Sequence, residues 1–349
     1  MRCIALIACL IAVGPWSAAQ AGETTRTSEI LARLNNANDW RGHVMVVAHR
    51  TGWKENGTFR HPDNSLSGIR YAMSLGVEMI EMDIRKSADG VLLLMHDEYL
   101  DRTTTCKGQV ARHTYADLIS CRLVVDGTRR VTDEGIPRLE DALRATRDRV
   151  LVNIDNKLNP EVMPEIAAEA RSLGMTEQIL FKQNLWNAKR IATAHGIVNR
   201  AGGDVPFMPI FADDAVRDAE FMTTATRAFS APAAELVHWH KGGDPMTRDG
   251  GPLFSTKARA AAIKGNWHLW INTYPIVNRE DGMLAGGRGD GLASVAPDEV
   301  YGFWVDRGAT IIQTDEPKFA IEWLARKGYR TPYGGERADD VAQLGEKGW

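Results

Sequence analysis

Three apolar runs between Val44 and Asp101 each end in residues suited to phosphoester chemistry: His49-Arg50, then Glu81-Met82-Asp83, then His96-Asp97. Residues two apart on a strand share a face, so Glu81 and Asp83 present neighbouring carboxylates while Met82 points away. Such a pair repels unless a cation lies between its members, and an all-oxygen donor set suits a hard metal, Ca²⁺ or Mg²⁺. Two imidazoles supply an acid and a base, and an arginine offers a fork for phosphate oxygens. These are the parts of metal-assisted phosphodiester cleavage.

The same strand-end pattern recurs farther along the chain. The run Leu151-Val152-Asn153-Ile154 stops at Asp155, with Lys157 two residues beyond, and Ile179-Leu180-Phe181 stops at Lys182. Later runs end at Asn272, two after Trp270, and at Asp315. Asp155 is assigned as the third metal ligand beside Glu81 and Asp83. Arg50, Lys157, Lys182, Trp270 and Asn272 are assigned to substrate and phosphate, and His49 and His96 to acid–base work, with the order of the two open. His238 and His240 share a strand face and suit either a second metal site or a place in the pocket or core, the latter favoured. Trp53, Trp186, Trp239 and Trp270 fall near strand ends, where packing is favoured over an aromatic cage for a cationic head group. The stretch Gly286-Gly287-Arg288-Gly289 lacks the following Lys-Ser/Thr of a phosphate loop and reads as a flexible loop.

Positioning these groups requires strands that emerge on a common side. Strand patterns cover 44–48, 79–84, 150–154, 179–181, 207–211, 236–239, 268–272 and 310–314. Helical patterns fall at 64–75, 139–146, 161–173, 186–195, 213–226, 256–264, 297–307 and 317–327, many followed by glycine. Eight strands alternating with helices specify an α/β fold, the (β/α)8 TIM barrel, whose C-terminal strand ends meet at one mouth. The expected organisation is one domain over 22–330, with a small insertion after the second strand region at about 98–137 and a polar tail at 331–349.

Charge narrows the partner. Lys and Arg number 42, Asp and Glu 45, and the net charge is −3, so no basic footprint invites nucleic acid and a small molecule is expected. Residues 1–21 read as a cleaved export signal: Met1-Arg2, an apolar run from Cys3 to Val13, and the small-x-small site Ala19-Gln20-Ala21. That run is too short to span a bilayer, so export to the periplasm or medium is expected rather than stable membrane insertion. Cys106 and Cys121 then remain, fifteen apart, and an oxidising compartment favours a disulfide between them.

Taken together, Ala48-His49-Arg50, Pro62-Asp63-Asn64-Ser65, Glu81-Met82-Asp83-Ile84, His96-Asp97, Leu100-Asp101-Arg102-Thr103-Thr104, Asp155-Asn156-Lys157, Trp270-Ile271-Asn272 and Thr314-Asp315-Glu316-Pro317 resemble the glycerophosphodiester phosphodiesterases. The resemblance implies a (β/α)8 barrel, one divalent cation, and hydrolysis of glycerophosphodiesters to glycerol phosphate and an alcohol. It also implies His49 and His96 as the acid–base pair, Glu81 and Asp83 as metal ligands, and Arg50 and Lys157 as phosphate contacts. The chain departs from the family pattern at Thr51, where a glycine is usual and a longer loop follows. It departs again at Asp63 and Asp155, where glutamates are usual. Two other readings are a phospholipase-type barrel acting on intact lipid, which should show an exposed apolar rim, and a barrel that binds a phosphorylated ligand without catalysis.

Overall fold

A computed structural model describes residues 25–241, 243–276 and 283–334; the expected export signal and most of the polar tail lie outside them. Eight parallel strands form a closed ring: β1 (Met45–Ala48), β2 (Met79–Lys86), β3 (Leu151–Asn156), β4 (Ile179–Asn184), β5 (Phe207–Ala212), β6 (Ala233–Val237), β7 (His268–Asn272) and β8 (Ala309–Thr314). Closure is made by β1, which pairs with β8 from Met45↔Ile311 and with β2 at Val47↔Met79. A short segment, Leu92–Leu94, returns antiparallel along the far end of β2. The expected TIM barrel is the fold.

Period-two alternation divides each strand between two environments. Outward residues such as Val46, Ile80, Met82, Val152, Ile154, Phe181, Leu236 and Ile312 join the helices in one large core. Each such side chain contributes about 1.5–3 kcal/mol on full burial. Inward residues near the strand starts, Met45, Val47, Met79, Leu151, Leu180, Met208, Ala233, Trp270 and Ile311, fill the barrel itself. Ile30 and Leu34 of the helix Arg26–Asn35, which the sequence reading missed, join that inner cluster at its lower end. Thr25 caps this helix by accepting a hydrogen bond from the Ser28 amide. Tyr333, in the first residues of the expected tail, is buried beside it under the Arg33 guanidinium. The inner faces therefore run from apolar at the bottom to polar at the mouth.

One strand lies elsewhere than expected. The sixth was placed at 236–239, but β6 runs Ala233–Val237. Glu235 interrupts the apolar run and so hid the strand, yet it points into the barrel, where Lys182 Nζ lies 3.1 Å from its carboxylate. A helix expected from 64 starts at Leu66, because Ser65 accepts from the Gly68 amide and acts as its cap. Leu100, Val110, Leu118, Leu123 and Ile136 of the insertion form a small core with Leu93 and Met95 just before it, and a disulfide joins Cys106 to Cys121. The segment read as a flexible glycine loop is a close-packed turn: a Cβ at Gly287 would sit 3.1 Å from His240 Nε2.

Candidate active site

At the end of β1 the chain turns through three left-handed residues, Arg50 (φ 48°), Thr51 (φ 69°) and Gly52 (φ 89°). For the two that are not glycine this costs on the order of 1–3 kcal/mol each. Two hydrogen bonds hold the turn: the Arg50 amide donates to Glu81 Oε2 at 2.7 Å, and the Ser65 amide to Thr51 Oγ1 at 3.1 Å. The turn thus ties the end of β1 to the first metal-ligand candidate on β2.

His49, nearly buried, places its Nδ1 2.7 Å from Asp315 Oδ1 and its Nε2 4.0 Å from Glu81 Oε2. Its ring stacks on Tyr274 at 3.6 Å between centroids, 13° from parallel. Burial pushes the imidazole down to about 4 despite the Asp315 carboxylate, so the ring is neutral at ordinary pH. With Nδ1–H donated to Asp315, the Nε2 lone pair faces the carboxylates.

Glu81 and Asp83 from β2 and Asp155 from β3 offer ligand oxygens that all lie within 4.8 Å of one another. This is the one such cluster among the described residues. Burial and the charges of Asp83 and Asp155 hold the Glu81 carboxyl well above its usual range. Asp83 is buried too, but Lys157, His96, Arg50 and His49 more than offset that and hold it well below. Three converging carboxylates that cannot all ionise together fit a divalent cation, which would let Glu81 lose its proton. Asn64 fixes Asp83 from both sides, donating Nδ2 to its Oδ2 at 2.7 Å and accepting its amide at 2.9 Å.

The cations spread around this cluster. Lys157 Nζ lies 2.9 Å from both Asp83 Oδ1 and Asp155 Oδ2, and Lys182 Nζ lies 3.8 Å from Asp155. Arg50 reaches Asp63 Oδ2 at 3.1 Å, and Arg102 meets the same oxygen at 3.0 Å. Asp63, where the family pattern has glutamate, is therefore the joint between the His49 turn and the insertion. Arg102 also grips Asp97, which receives His96 through Nδ1 at 2.8 Å. His96, more open than His49, acts electrostatically on Asp83.

Three assigned residues sit deeper than expected. Trp270 is sealed inside the barrel, donating Nε1–H to Asn272 Oδ1 at 2.9 Å. Asn272 in turn donates to Glu235 at 2.7 Å, and Lys182 closes the set on the other Glu235 oxygen. Trp270 and Asn272, expected as substrate contacts, form a hydrogen-bonded floor in this structure, on which Lys182 stands with its ammonium toward Asp155. His238 and His240 do not converge: His238 pairs with the Asp213 carboxylate, and His240 with the Asp244 carbonyl at 2.9 Å.

Several working residues were not assigned from sequence. Asp315 was visible as a strand-end carboxylate, but nothing in its spacing revealed His49 as its partner. Asp97 and Arg102 stood within quoted motifs without roles. Glu235, inside an apolar run, carried the signal of an inward charge needing a partner. Tyr274 carried none.

Residues 57–268, more than half of the chain, match the model of the glycerophosphoryl diester phosphodiesterase family. The chain belongs to this family. The matched span takes in Glu81, Asp83, His96, Asp155 and Lys157, while His49, Arg50 and Asp315 lie outside it. A glycerophosphodiester phosphodiesterase of Caldanaerobacter subterraneus is 32% identical over 124 residues, 35% of this chain and 49% of that protein. Mouse glycerophosphodiester phosphodiesterase 1 is 34% identical over 105 residues, 30% of each chain. The chain spans about half or less of these curated relatives. Among solved structures, a glycerophosphoryl diester phosphodiesterase from Parabacteroides distasonis superposes with a TM-score of 0.62 at 20% identity, covering 86% of this chain and 92% of that one. An Oleispira antarctica phosphodiesterase, solved with its product sn-glycerol-3-phosphate, gives 0.51 at 16% identity over 78% and 93%. Both share the barrel fold of this chain.

Proposed function

We propose that the protein is an exported, divalent-metal-dependent phosphodiesterase that hydrolyses glycerophosphodiesters to glycerol phosphate and an alcohol. The observation that carries this reading is the placement of His49 Nε2 4.0 Å from Glu81, with Nδ1 anchored on Asp315, beside the cluster of Glu81, Asp83 and Asp155. Family membership supports the substrate class.

Glu81, Asp83 and Asp155 would hold the cation, Ca²⁺ or Mg²⁺ by their all-oxygen chemistry, and when bound it supplies Lewis-acid neutralisation of phosphoryl charge. Arg50, Lys157 and Lys182 provide fixed positive charge for the remaining phosphate oxygens. His49, neutral and oriented by Asp315, takes the proton of the attacking hydroxyl at Nε2, whether that hydroxyl belongs to water or to the substrate's own glycerol. His96, held by Asp97, returns a proton to the leaving alkoxide. Asp97 stays ionised despite its burial, because His96 and Arg102 bond to it and hold it below its usual range.

The apolar segment near the N-terminus supports export, and the Cys106–Cys121 disulfide suits an oxidising compartment. Among the described residues no helix is long and apolar enough to cross a membrane. Product identification by ³¹P NMR after incubation with glycerophosphocholine tests the reaction. Glycerol phosphate with free choline is expected; phosphocholine with free glycerol would place cleavage on the other ester bond and overturn the reading.

A further inference from the structure

The loop that sets this chain apart from its family pattern follows the His49-Arg50 turn. It forms a small hairpin, Lys54–Glu55 against Thr58–Phe59, anchored where the Gly57 amide donates to Glu316 Oε1 at 2.7 Å and Lys318 meets Glu55 at 2.7 Å. Trp53 enters this hairpin and turns inward, 3% exposed. Its indole Nε1–H donates to Asp315 Oδ1 at 2.7 Å, the same oxygen that receives His49 Nδ1. The Arg50 guanidinium lies over its ring, 5.0 Å from the centroid. Phe59 backs the ring from the hairpin at 4.9 Å.

We infer that Trp53 is a positioning residue that holds two working parts of the site at once, His49 through Asp315 and Arg50 through the face of its ring. This rests on the phosphodiesterase reading above. A carboxylate oxygen has two strong acceptor directions. On Asp315 Oδ1, His49 and Trp53 occupy both, while Lys54 Nζ lies 3.1 Å from Oδ2. The carboxylate therefore cannot rotate toward Lys54 without giving up the indole bond, and the imidazole that follows it keeps Nε2 aimed at Glu81. A buried hydrogen bond to a charged acceptor also loses more when broken than a neutral one. The other contact is of a different kind: the indole face attracts the guanidinium and limits where it swings. One side chain thus touches two separable functions, orientation of the base and placement of a phosphate cation.

Two variants of the full chain separate them. Trp53→Phe keeps a ring for Arg50 but removes the N–H; Trp53→Leu removes both. With glycerophosphocholine as probe, Trp53→Phe is expected to lower kcat about 10–100-fold, the size of one lost hydrogen bond to a charged group, with KM within about twofold. Trp53→Leu is expected to show the same kcat loss and a KM several-fold higher. The imidazole ¹⁵N spectrum, assigned by the signals lost in His49→Asn, supplies a readout independent of turnover. The hydrogen-bonded Nδ1 proton of His49 should exchange faster in both variants than in the wild type. Wild-type kcat in Trp53→Phe, or a His49 signal unchanged in both variants, would overturn the inference. Equal KM in the two variants would remove the Arg50 half. If the wild type fails to cleave the probe, the phosphodiesterase reading fails, and the His49 signal still decides whether Trp53 positions that ring.

Discussion

Nδ1 of His49, where the first barrel strand ends, lies 2.7 Å from Oδ1 of Asp315, where the last one ends. The two are 266 residues apart in sequence and neighbours in the barrel because β1 pairs with β8. Asp315 is buried, yet its carboxyl is held well below the usual range by His49, which is charged in the acid range where Asp315 titrates and bonds to it, and by Lys54 and Trp53. It is therefore a fixed negative charge that sets the tautomer of the imidazole.

Replacing that charge with a neutral amide should uncouple the ring. Asp315→Asn is expected to lower kcat on the order of 10²–10⁴-fold, because an amide can hold His49 in the wrong tautomer and gives no charge to the imidazolium. Steady-state kinetics with circular dichroism checks this. A fall in kcat below tenfold with native ellipticity would show that His49 does not need Asp315.

Leaving-group chemistry separates the two histidines. A p-nitrophenyl ester of glycerol phosphate expels p-nitrophenolate without help from an acid, so His96→Asn should lose about 10²–10⁴-fold on glycerophosphocholine and far less on this ester. His49→Asn should lose comparably on both. The reverse pattern would exchange their roles.

How much of this could be read without coordinates depended on whether a residue's partner was local. The alternation of Glu81, Met82 and Asp83 needed only the pleat of one strand, and the eightfold repeat of strand and helix needed only patterning. His49 with Asp315 and Arg50 with Asp63 required ring closure and a hairpin, which apolar spacing does not encode. Trp270 and Asn272 lie deeper than expected because a strand-end position fixes direction but not depth. Depth depends on where each strand starts, and β6 starts three residues earlier than its apolar run suggested, with Glu235 as the inward charge they serve.

The carboxylate cluster predicts a thermal response to metal. Because the cation binds only the folded arrangement, saturating it at about 100 times Kd should stabilise the fold by about 2.7 kcal/mol, seen as a rise in Tm. Differential scanning calorimetry with Ca²⁺, Mg²⁺ and EDTA should show this rise in the wild type and lose it in Asp83→Asn. Asp155→Glu, which lengthens the third arm, should change which metal gives the larger rise. A wild-type Tm unmoved by any of these cations would remove the cluster from metal binding.

Asp290 predicts a pH effect of a sign unusual for a carboxylate. It accepts from Thr314 Oγ1 and from the Asp315 amide, both at 2.8 Å, and burial together with the Asp315 charge pushes it up to about 7. Between an ordinary carboxyl value near 3.8 and 7 the folded protein keeps a proton that the unfolded chain has released. Its contribution to stability is therefore complete at the acid side of this window and lost as pH rises through it. The Tm of Asp290→Asn, which cannot ionise, should gain on the wild type from about pH 5 to pH 7 and level off above that. A difference that stays constant across that range would show that Asp290 titrates normally.

The most direct measurement is metal-dependent release of glycerol phosphate from glycerophosphocholine by the purified protein. EDTA should abolish it, Ca²⁺ or Mg²⁺ added back should restore it, and His49→Ala should remain inactive with metal present and the fold intact. Release that persists in EDTA, or that survives in His49→Ala, would contradict the account.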